Sequence, residues 1–141
     1  MNRTLLAGAL ALALSSGAIA EALPYSDLPE NVRAAFESHQ PGVQPTQAKV
    51  ELRGGETVYV IDDIEHEDIL SGAGEIVQCI HPTGIDNLPA SAHALLTRVY
   101  GDHEVTAVEG VYTHTDAGLV IDYLVTCTHG GESHTTLIAG N

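Results

Sequence analysis

Apolar and polar positions along this chain repeat their order at an offset of sixty residues. Leu28-Pro29 recurs as Leu88-Pro89, Ala34 as Ala94, Thr46 as Thr106, and Val60-Ile61-Asp62 as Val120-Ile121-Asp122. A fixed offset of this kind marks a duplicated unit. Each unit opens on a helical pattern. Leu28, Val32, Ala35 and Phe36 fall at i, i+4, i+7 and i+8, and Leu88, Ala92, Leu95, Leu96 and Val99 repeat that face. Pro29, after Asp27 or Leu28 at the cap, stands in the first turn, where a missing N–H costs nothing. Pro41-Gly42 and Gly101-Asp102 stop the two helices. The period then drops to two. Ala48, Val50 and Leu52 alternate with polar residues, Gly54-Gly55 turns the chain into a strand over 57–61, and a third strand is predicted over 75–80. The second unit predicts strands over 104–113, 119–128 and 134–139, with a turn at 115–118. Links this short admit only antiparallel pairing. The expected fold class is therefore α+β: two tandem helix-plus-antiparallel-sheet units, residues 21–84 and 85–141, within one compact domain whose two sheets could run on as one platform, with the helices packed on one face of the sheet.

The stretch "LPENVRAAFESHQPG", the Gly-turned hairpin returning through Val58-Tyr-Val-Ile61, and the closing Gly74-Glu-Ile-Val77 together resemble the PepSY-like domains of secreted bacterial proteins. That fold is shared in outline with the β-lactamase-inhibitor proteins. Both repeats fit, over nearly all of Leu28 to Ala139, although the second lacks the Pro-Gly after its helix. The resemblance implies non-enzymatic, extracytoplasmic modules that bind or inhibit other proteins, and it brings no catalytic residue to carry over.

The ends add the compartment. Arg3, the apolar run Leu5 to Leu14 and the small-x-small stretch Ala18-Ile19-Ala20 have the form of a cleavable export leader over residues 1–20. Its apolar run is too short to span a bilayer, which needs about 20 residues. The expected location is periplasmic or secreted. With 5 basic and 19 acidic residues, the net charge is −14. Such a charge repels phosphate backbones and anionic membrane surfaces, and so excludes nucleic acid as a partner. It leaves open a basic protein partner, cations, or solubility alone.

Chemistry concentrates in two related stretches, "QCIHPTG" (78–84) and "TCTHGGESH" (126–134), which contain both cysteines. Residues i and i+2 of a strand share a side, so Cys79 with His81 and Cys127 with His129 could form a Cys2His2 site if their strands were neighbours. An oxidising compartment instead favours a disulfide between Cys79 and Cys127. The alternation Leu119, Ile121, Tyr123, Val125, Cys127 puts Cys127 on the core face. A bond there would close a loop of about 48 residues and stabilise the fold by roughly 4 kcal/mol in the chain-entropy model. Free buried thiols are the remaining alternative. Among the eight histidines, His81, His129 and His134 are the metal-ligand candidates, with adventitious zinc or copper binding the expected extent and no dedicated cofactor.

The acidic stretch "DDIEHED" (62–68) lacks the glycine and bidentate glutamate of a calcium loop. It reads as a charged edge strand or as a docking surface for a basic partner, with Asp62, Asp63, Glu65, Glu67 and Asp68 as the contact residues. Ser71 and Ser133 sit outside any nucleophile elbow, and no phosphate-cradling loop is present. The expected function is accordingly non-enzymatic: a binding or inhibitory module that presents a sheet face or its acidic loops to a protein. The alternative is a metal- or cation-binding protein using histidines and carboxylates.

Overall fold

The computed structural model describes residues 20–140. The leader expected over 1–20 lies outside the described residues apart from Ala20. The elements, in chain order, are β1 (Glu21–Leu23), α1 (Glu30–His39), β2 (Gln47–Arg53), β3 (Glu56–Asp62), β4 (Glu67–Ser71), β5 (Ile76–Pro82), α2 (Ala90–Tyr100), β6 (Glu104–Thr115), β7 (Gly118–His129) and β8 (Glu132–Ala139). A 3-10 turn precedes each helix, at Tyr25–Asp27 and Ile85–Asn87. Both helices start directly after a proline whose carbonyl accepts the first helical bonds. The N–H groups of Val32 and Arg33 donate to Pro29, and those of Ala92 and His93 donate to Pro89.

All eight strands form one antiparallel sheet in sequence order, β1 to β8. This corrects the expected α+β class. Of the described residues 50 % are strand and 22 % helical, a mainly β fold that does not build two helix-plus-sheet units. The physical reason lies at the centre of the sheet. One side of β5 pairs with β4 and the other with β6, Cys79 lying opposite both Asp68 and Tyr112. Backbone hydrogen bonds therefore run through the point where two separate sheets would each have had an open edge. Closing such edges satisfies polar groups that would otherwise invite pairing with another chain. A second correction concerns "DDIEHED", which is no edge strand. Its ends belong to β3 and β4, 63–66 is the turn between them, and β4 is flanked on both sides.

The helices cover one face in two separate patches. Under α1, Leu28, Val32 and Phe36 meet Ala48, Ile61 and Leu70; under α2, Leu88, Ala92 and Leu96 meet Val108, Val125, Cys127 and Ile138. Burying a side chain such as Phe36 contributes about 2–3 kcal/mol. On the other face Val58, Val60 and Ile69 form a third cluster. No helix among the described residues packs on it. Beside it lies Glu51, which is 3 % exposed and has Lys49 at 3.6 Å and Arg53 at 3.0 Å. No helix among the described residues is long and apolar enough to cross a membrane.

Candidate functional site: a histidine-lined cleft at the end of α1

Strand register builds the floor of the site. Ile61, Asp68, Cys79, Tyr112 and Ile121 are successive partners across β3, β4, β5, β6 and β7. Directly opposed residues share a face, and Ile61 packs under α1, so the whole row lies on the helix-bearing side. Asp68 therefore takes a core position. It is 1 % exposed, and neither carboxyl oxygen accepts an N–H or O–H from the described residues. The last residue of α1, His39, reaches over this row. Its Nε2 lies 3.2 Å from the Cys79 sulfur and 3.7 Å from Asp68 Oδ1. The C-terminus of a helix carries partial negative charge, which favours a cation at this end.

Three donor atoms of different kinds thus lie within 4.8 Å of one another: an imidazole nitrogen, a carboxylate oxygen and a sulfur. It is the one group of three or more such donors among the described residues. Bonds of about 2.0 Å to nitrogen or oxygen and 2.3 Å to sulfur, at tetrahedral angles, separate ligand atoms by about 3.5 Å. The two measured separations bracket that value. Burial first, then a thiol hydrogen bond to the Asp68 carboxylate and that group's charge, push the Cys79 thiol up to about 12. The thiol is thus a neutral S–H until a cation replaces its proton.

His39 and Cys79 line a cleft of about 310 Å³, whose other walls include His66, His81, Tyr112 and His114, and Asp68 is buried behind them. Tyr112 stacks on His81 at a centroid distance of 4.7 Å with the planes 10° apart. Gly110, the partner of His81 on β6, makes room for this. A Cβ at Gly110 would come within 2.6 Å of the Tyr112 ring.

The expected disulfide is not formed; Cys79 and Cys127 are both buried free thiols. Both do lie on the core face, but β6 runs between their strands. Cys79 pairs with Tyr112 and Cys127 with Val105, seven positions away along β6. At about 3.4 Å per residue that places them some 25 Å apart, against a limit of about 7 Å between the Cα atoms of a bridged pair. The same displacement separates the two Cys-x-His stretches, so no Cys2His2 site forms.

Of the three histidines named from sequence, His81 lines the cleft. His129 sits instead against His103, with ring centroids 4.6 Å apart. His134 is exposed on β8, 4.0 Å from Glu132. The acidic stretch is divided. Asp62 and Glu67 face each other across β3 and β4 on the side away from α1 and α2, Asp63 and Glu65 lie in the turn, and Asp68 is buried beside His39 and Cys79. Sequence reasoning missed His39 as a ligand and Asp68 as its neighbour. A signal existed for each, since Asp68 shares the alternation of Leu70, and His39 continues the α1 face one turn beyond Phe36.

No protein-family model matches the sequence, and no curated protein is significantly similar to it.

Proposed function

We propose that this protein binds a transition-metal ion at His39, Asp68 and Cys79. One observation carries the reading: three different donors converge around a buried carboxyl group to which no N–H or O–H among the described residues donates. A buried polar group so poorly partnered is costly, and a cation in the cleft would give it a counter-charge. The mixed sulfur, nitrogen and oxygen set suits Zn²⁺ or copper and disfavours Ca²⁺ and Mg²⁺, which take oxygen ligands. Three protein ligands leave a fourth position facing the cleft, the arrangement of an accessible site and not of a closed structural one. The acidic charge of the chain raises the local concentration of cations. With the expected leader, such a protein would meet its ion outside the cytoplasm.

Calorimetric titration with Zn²⁺ tests this. Cys79→Ser should weaken binding about 100-fold or more, since even residues behind a ligand cost 10–100-fold. Cys127→Ser, which removes the other buried thiol, should leave affinity within threefold of the wild type. Equal effects of the two changes would refute the assignment.

A second reading keeps the binding-module expectation and has its own support. Both described helices lie on one side, and on the other Lys49, Glu51, Arg53, Asp62 and Glu67 form an ionic cluster. A protein partner docking on this face should lose affinity when Glu67 is changed to Arg, as read by surface binding against periplasmic extract. Retention of binding by that variant would remove the face from consideration.

A further inference from the structure

The cleft contains a second set of nitrogen donors that the three-residue site does not use. His66 closes the β3–β4 turn, where Asp63 Oδ1 accepts the backbone N–H groups of Glu65 at 2.7 Å and His66 at 2.8 Å. The same oxygen is 3.2 Å from His66 Nδ1. Burial alone would raise the Asp63 carboxyl, but the backbone donors of Glu65 and His66 outweigh it and hold the group below its ordinary value. As a carboxylate Asp63 can only accept, so His66 Nδ1 is the donor to it and Nε2 is the nitrogen left to meet a metal ion. His81 repeats the arrangement. Its Nδ1 lies 3.3 Å from the Pro82 carbonyl, which also can only accept. Its ring plane is held on one side by the Tyr112 stack. An imidazole that donates from one nitrogen to a carboxylate or a carbonyl is the usual form of a metal-bound histidine.

The spacing of the two rings agrees. An ion about 2.0–2.1 Å from a ring nitrogen sits about 3.2 Å from that ring's centroid, so two imidazoles sharing one ion at tetrahedral to trigonal angles have centroids about 5.2–5.5 Å apart. The centroids of His66 and His81 are 5.7 Å apart. Tyr112 can reach His81 only because position 110 has no side chain.

We infer that His66 and His81 form a second metal site in the same cleft, with water in the remaining positions. An all-imidazole set completed by water takes Zn²⁺, Cu²⁺ or Ni²⁺. This site goes beyond the three-residue site and does not depend on it, because its donors and their supports are separate residues. Cys79 and His81 alternate on β5, about 7 Å apart along the strand, so the cleft can hold two ions side by side.

The test is Zn²⁺ titration of the purified protein, followed by calorimetry and by NMR of the histidine rings. Two equivalents are expected, one tight and one weaker. Changing His66 and His81 together to Ala should lower the weaker affinity at least tenfold and spare the tight one; Cys79→Ser should do the reverse. Binding of the weaker equivalent should shift the ring signals of His66 and His81 but not those of His103 and His129. A single equivalent lost with Cys79→Ser and indifferent to the double change would overturn the second site and leave the first standing. A single equivalent needing both Cys79 and His81 would also overturn it, by making one shared site. Two equivalents that survive Cys79→Ser would instead remove the first site.

Discussion

Asp68 occupies a position that strand alternation assigns to the core, between Ile61 and Cys79 and in step with Leu70. Filling it with a side chain of similar volume and no polar atoms removes the poorly partnered oxygens. Exchanges of that kind stabilise proteins by about 1–4 kcal/mol. We expect Asp68→Leu to raise the melting temperature of the metal-free protein by at least ~4 °C while abolishing tight Zn²⁺ binding. A variant that melts lower and still binds would show Asp68 to be structural. Glu67 illustrates the opposite face. Burial first, then the Asp62 carboxylate across the strand pair, push its carboxyl up to about 7, against opposing pulls from Lys49 and Arg53. A carboxyl raised above its unfolded value holds a proton that the unfolded chain releases. The penalty is therefore absent below the ordinary 4.5, grows between there and about 7, and is complete above it. Glu67→Gln should raise the melting temperature by a few degrees at pH 8, as removing like charges opposed across strands does, and change little at pH 4. An equal rise at both values would place the effect in packing.

The two helices differ in what they hold. α1 carries Phe36 into one core patch and His39 to the cleft, one turn apart, while α2 buries Leu96 in the other patch and supplies no cleft residue. Truncating either buried side chain removes a comparable stabilisation, about 3–5 kcal/mol for Phe36→Ala and 2–5 for Leu96→Ala. Only the first should also disturb His39. Zn²⁺ affinity at a temperature where both variants remain folded is the measurement, with a tenfold or larger loss expected for Phe36→Ala and less than threefold for Leu96→Ala. Equal losses would mean that the cleft responds to global stability and not to the seating of α1. The positions of both helices were legible in the apolar spacing. Strand β4 was not, because its charged start hides an alternation of only five residues, Glu67 to Ser71.

Across the molecule, ion binding and folding are linked. A ligand that binds only the folded state adds about 2.7 kcal/mol at one hundred times its dissociation constant. For a chain of this size that corresponds to a rise of roughly 10 °C in melting temperature. Zn²⁺ sufficient to fill the tight site should produce such a rise in the wild type and a clearly smaller one in Asp68→Leu; the same rise in both would locate the stabilising ion elsewhere. The net charge of −14 should make the association rate fall as salt shortens the reach of surface charge, from a Debye length of about 30 Å at 0.01 M to 3 Å at 1 M.

Much of this protein can be traced along the chain alone: the helical faces of 28–36 and 88–99, the paired prolines, the strands over 104–113 and 119–128, and the core-facing side of both cysteines. These depend on periodicity, which acts between near neighbours and survives without knowledge of the rest. Which strand lies beside which could not be traced in that way. The β5–β6 pairing joined the strands of both units into one sheet and left β6 between the cysteines. The β4–β5 pairing set Asp68 beside Cys79, and α1 carried His39 over both, across forty positions of sequence. Lateral neighbours are selected by hydrogen bonding and packing among segments far apart in the chain, and no local repeat encodes that choice.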